Sequence, residues 1–174
     1  MSHHAPAGMD PELAAILPAI TGTAGEFRHR QHIHLTFWAI RQYGMPAAAG
    51  KICTWLRHIT VYANAPQKYN QTVSRAWVEL VAHHVSTDPD CADFAAFAAR
   101  NPMLLDKRLL SRHYRSVTLA STRARQDWVE PDLTPFPWTS QGNAGTRSVT
   151  QRQDAIHNDG YNISPAPPGS ERHI

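Results

Sequence analysis

The stretch that most constrains this chain runs from Gly25 to Tyr43, where histidines are set into an apolar helical pattern. On a helical wheel of about 100° per residue, His29, His32, Thr36, Ala39, Ile40 and Tyr43 share one arc. Arg30, His34 and Arg41 lie on the opposite side, so the spacing predicts two inward histidines and a third that is solvated. Residues at i and i+3 stand about 5–6 Å apart at Cβ, close enough to share a proton, a ligand or a metal. A helix that turns polar groups inward needs other helices to cover them. The expectation is therefore a polar centre inside a helical core.

The flanking sequence supplies those helices. Asp10-Pro11 reads as a cap and first turn for a helix to about Ala19, and Thr21–Gly25 breaks it. Gly44, with Pro46 two residues beyond, stops the histidine helix at Tyr43. From Ala47 to Ala63 the stripe is Ile52, Leu56, Ile59 and Ala63; Asn64-Ala65-Pro66 is a turn. A third long helix runs from Gln67 to Val85, with Tyr69, Val73, Ala76, Trp77, Leu80 and His84 on its apolar arc. Shorter helices are expected over Cys91–Ala99, Met103–His113 and Ser121–Trp128. No segment alternates as a strand does, and no internal repeat is visible. The fold class expected is all-α, a compact bundle of about five to six helices. Residues 1–138 form the domain, and Leu133, Phe136 and Trp138 can pack back on it. From 139 to 174 glycine and proline punctuate a polar run, which reads as a flexible or extended tail.

Charge excludes some partners. A net charge of +3 with 18% charged residues is too weak a field for a general nucleic-acid binder. The acid-free run Lys107, Arg108, Arg112, Arg115, Arg123 and Arg125 can attract a phosphate or carboxylate, though such runs are more often solvated faces. Cys53 and Cys91 match no zinc or redox spacing and read as small buried residues of a reducing compartment. The apolar stretch Leu13–Ile20 is too short for a membrane span and lacks the basic flank of a signal peptide. A soluble, cytoplasmic protein is expected, with no membrane partner and with a homo-oligomer left open.

His29 and His32 are the leading candidates for chemistry, as general acid and base or as metal ligands. Thr36, Tyr43, Tyr69, Asn70 and Trp77 are candidates for holding a substrate, the aromatic ones by stacking on a flat molecule. Each also has a plain role: tryptophans at helical spacing are usually core, and Asn70 at a helix start is as readily a cap. Glu26-x-x-His29 has di-iron spacing, but no second copy exists.

Phe27-x-His29-x-x-His32, then Lys68-Tyr69-Asn70-Gln71-Thr72-Val73, then Asn101-Pro102-x-Leu104-Leu105-Asp106-Lys107, resembles a family of small helical bacterial proteins, mostly uncharacterised. The resemblance spans roughly residues 25–138 and implies a helical fold. Members often carry Lys-Tyr-His-Glu-Thr, where this chain has Asn70 and Gln71. In that pattern three histidines can hold a metal, whereas an amide is a poor ligand for zinc, iron or copper. The departure favours metal-free chemistry or a binding role.

The functional expectation is thus a small-molecule enzyme of specialised metabolism, with His29 and His32 as a metal-free acid/base pair. Condensation or cyclisation of an aromatic amine, such as a Pictet–Spengler ring closure, needs such a pair: an acid to expel water and a base to restore aromaticity. The substrate would be aromatic and, given the basic run, anionic. No cofactor is expected. One alternative is an oxygenase or hydrolase with a transition metal on His29 and His32; the other is a non-catalytic ligand-binding module.

Overall fold

The computed structural model describes residues 8–138, which form seven α-helices joined by turns and short 3-10 segments, with no strand among the described residues. The expected tail over 139–174 lies outside the described residues. The helices are α1 (Pro11–Thr21), α2 (His29–Tyr43), α3 (Met45–Tyr62), α4 (Gln71–Thr87), α5 (Phe94–Arg100), α6 (Ser116–Ala120) and α7 (Thr122–Gln126). The protein is an all-α bundle. None of the described helices is long and apolar enough to cross a membrane.

The centre is α2, α3 and α4 packed against one another. Gly44 alone joins α2 to α3. Its φ of +72° is a conformation that favours glycine, and it closes one helix and opens the next: its N–H donates to Ile40 O (2.9 Å) and its carbonyl accepts from Ala48 (3.0 Å). α1 starts as its sequence predicts, with Asp10 accepting from the N–H of Glu12 and Leu13 at 2.9 and 3.2 Å. It is tied to α3 by the Glu12–Lys51 ion pair at 2.6 Å. Leu13, Ile33, Leu35, Ile52, Trp55, Val78, Val81 and Phe97 are at most 1% exposed and form the body of the core.

Several expected helix bounds fail at the backbone: α4 begins at Gln71 and not at Gln67, and α5 at Phe94 and not at Cys91. α2 begins at His29, not at Gly25, because Gly25 is left-handed (φ +63°) and Arg28 is extended, its N–H donating to Gln31 Oε1 at 3.2 Å. The helix expected over Met103–His113 is two 3-10 segments, Pro102–Leu105 and Lys107–Arg112. Asp106 separates them, since its carboxylate accepts from Arg108 N at 2.9 Å and offers the backbone an alternative to continuing the helix.

Residues 113–138 fold back over α4 through side chains that satisfy backbone groups. Thr72, fully buried, donates to Asp127 O (2.7 Å) and accepts from Val129 N (3.0 Å). Tyr114 donates to Val129 O at 2.9 Å, and His113 Nδ1 donates to Thr134 O at 2.8 Å. Phe136 is buried and stacks on Trp138, which stacks in turn on His83 of α4 at 4.6 Å between ring centroids. The Leu133 side chain stays 46% exposed, while its backbone N–H donates to His113 O at 3.0 Å.

Candidate functional site

His29 is the first residue of α2 and is half-buried. Its Nε2 lies 2.9 Å from Leu104 O, and because a carbonyl only accepts, Nε2 carries the proton. The ring leans on Trp77 of α4, with centroids 4.5 Å apart. Burial pulls the His29 pKa below its ordinary value and Lys107 adds to this, while the Leu104 carbonyl and Asp106 oppose it.

One turn on, His32 meets His29 edge to face, 6.3 Å between centroids and 85° between planes. Its Nε2 is shielded from solvent and has no hydrogen-bond partner among the described residues. Burial, with a smaller push from His29, drops its pKa to about 3, so the imidazole is neutral throughout the physiological range. A buried polar nitrogen without a partner costs about 1–3 kcal/mol. Native folds retain few such groups, and a neutral imidazole of such low basicity is suited to hydrogen-bonding a ligand.

The other residues expected at this centre are distributed differently. Trp77, 3% exposed, is brought to it as the wall behind His29. Thr36 is fully buried, but its hydroxyl donates back to His32 O at 2.9 Å, so it serves its own helix. Asn70 is the N-cap of α4: its oxygen accepts from Val73 N (3.0 Å) and its amide donates to Leu119 O (2.7 Å). It therefore fixes the start of α4 and docks the residues before α7. Tyr43 follows His32 by eleven residues, which at the helical rise is roughly 16 Å along the axis. It packs among Trp38, Trp55 and Lys51, its hydroxyl buried and unpartnered. Tyr69 donates to Gln71 Oε1 beneath the Arg57 guanidinium, and burial, with Cys53 nearby, pushes its pKa up to about 12. Gln71 also donates to Cys53 Sγ at 3.6 Å. Of these, Cys53 and Gln71 line a groove of about 500 Å³ between α3 and α4, with Met45, Arg75 and Glu79.

For a metal, His29 and His32 offer two nitrogens once His29 Nε2 is committed to Leu104, and the third motif position is the capped Asn70. Among the described residues no group of three or more His, Cys, Asp or Glu is arranged to hold a metal ion.

A third region lay outside the sequence-based expectation. His34, expected to be solvated, is half-buried and stacked on Phe94 at 4.1 Å and 5°. It lines a second groove of about 500 Å³ against α1 and the residues before α5. No periodicity in α2 announces this, because the covering ring comes from sixty residues downstream. The basic run is dispersed: Arg115 faces Asp132 at 3.9 Å and Arg125 donates to Gln67 O at 2.7 Å.

Compared with protein-family models, characterised proteins and solved structures, the chain has no match.

Proposed function

We propose that this chain is a small-molecule enzyme that moves protons at the site of His29 and His32. The observation that supports it is His32 Nε2, a neutral imidazole nitrogen held in the bundle without a partner among the described residues and beside a second histidine whose tautomer Leu104 sets. His29 would take a proton from the substrate at Nδ1, the nitrogen that its Nε2–Leu104 bond leaves free, and His32 would hold the substrate as a neutral hydrogen-bonding imidazole. Trp77 supplies an aromatic surface at the same place. Condensation and cyclisation of an aromatic amine with a carbonyl compound is the reaction class that uses such a pair, and the resemblance to the small helical bacterial family belongs to the same proposal.

The test is turnover of tryptamine with acetaldehyde, read as the ring-closed product by mass. His32→Leu and His29→Leu should each lower the rate by about 100-fold or more. Undiminished product in both would refute the acid/base assignment. Elemental analysis of untagged protein addresses the metal alternative: one metal per chain, lost on His29→Ala/His32→Ala, would replace this mechanism.

A second reading, a non-catalytic binding module, is favoured by Asn70 and Gln71. Both amides are spent inside the protein, where the related pattern has ionisable groups. Saturable binding of the amine without product would support it.

A further inference from the structure

The groove on the outer side of α2 has a different chemistry from the histidine pair. Its walls are the end of α1 with the turn after it, α2 from Arg30 to Trp38, and residues 92–95. Its size, about 500 Å³, falls in the range of small-molecule sites. The apolar surface comes from Ile20, Phe37, Trp38 and Phe94. Three of its polar side chains are already engaged by backbone: Thr21 donates to Leu17 O (3.0 Å), Gln31 accepts from Arg28 N (3.2 Å) and Asp93 accepts from Ala96 N (2.8 Å). One Asp93 oxygen thereby caps α5, and its charge is still felt at His34.

Arg30 and His34 differ from these three. The Arg30 guanidinium stands over the Phe94 ring at 5.2 Å instead of against a carboxylate, and the His34 ring lies flat on Phe94. An arginine stacked on an aromatic ring keeps its fork of N–H donors directed outward, the geometry that takes a carboxylate through two parallel hydrogen bonds. The groove thus pairs an aromatic surface with a cation, Arg30, that meets no carboxylate among the described residues.

We infer that this groove binds a small aromatic carboxylate, its ring against the partly exposed Trp38 and its carboxylate on Arg30. The site is separate from the one proposed for proton transfer, because neither His29 nor His32 lines it. His34 offers a ring nitrogen to the same ligand. A neutral aromatic of the same shape occupies the groove without using Arg30.

The experiment is a titration of the full chain with indole-3-acetate and with its uncharged counterpart 3-methylindole, followed by calorimetry and by the NMR signals of the Trp38 indole N–H and the His34 ring. Indole-3-acetate should bind saturably and move both signals. Arg30→Gln, an exposed position, should weaken indole-3-acetate at least tenfold and leave 3-methylindole unchanged. Ala92→Trp, also exposed, should block both ligands by filling the groove, and His32→Leu should alter neither. Unmoved Trp38 and His34 signals at millimolar indole-3-acetate would overturn the inference. So would affinity indifferent to Arg30→Gln, or perturbation centred on His29 and His32, which would assign the ligand to the other site.

Discussion

The two sides of α2 carry the same residue type to opposite ends. On the inner side His32 is half-buried and neutral, its shielded Nε2 unpartnered among the described residues. On the outer side His34 lies at the edge of an open groove, stacked on Phe94, beside Arg30. Burial lowers the pKa of both, but Arg30 assists at His34 and Asp93 opposes, whereas His32 is governed by burial and His29 alone. The lesson is that helical position does not set what a histidine does; the covering element does. Trp77 of α4 and Leu104 make the inner site, and Phe94 makes the outer one.

That contrast can be broken by substitution. The largest effect should come from Trp77→Ala, which removes the wall behind His29 and opens a core cavity at a cost of about 3–5 kcal/mol by denaturant unfolding. A loss below 1 kcal/mol would mean that the inner site does not depend on α4. His32→Leu should act in the other direction, stabilising the fold at pH 7 by about 1–3 kcal/mol, since it removes a buried nitrogen without a partner. It should also change the response to acid. With the folded pKa near 3 and the unfolded value near 6.5, the unfolded chain binds the extra proton between these limits. His32 therefore leaves stability intact above about pH 6.5 and erodes it as pH falls, by about 1.4 kcal/mol per pH unit. His32→Leu should remove that slope, while His29, His34 and His84, also lowered, keep theirs. An unchanged slope would show that His32 is protonated in the folded state.

Smaller effects sharpen the contrast. Asn70→Ala should cost about 1–2 kcal/mol through the lost cap of α4, with little change in the His32 environment. A strong effect on the His32 ring signals would instead place Asn70 in the inner site. Arg30→Gln should leave the unfolding midpoint unchanged and affect only ligand binding at the outer groove.

Much of this architecture was legible in the chain. Gly44, Asp10-Pro11 and the apolar stripes of α3 and α4 delimit helices because they act locally, through caps and periodicity. The inward arc of His29 and His32 was legible for the same reason. The parts that were not legible depend on distant partners. Asn70 spends its amide on Leu119, forty-nine residues away, and Thr72 spends its hydroxyl on Asp127. His34 looked solvated because its covering ring belongs to α5. Asp106 split an expected helix through one side-chain bond that helical periodicity does not encode.

The proposal of proton transfer rests on a neutral His32 with its Nε2 free for substrate. An NMR titration of its ring carbon and nitrogen signals from pH 8 to pH 4 tests it most directly. The account predicts a neutral ring over that whole range, with the signals displaced when tryptamine is added. A midpoint near 6.5, or signals indifferent to the amine, would contradict it.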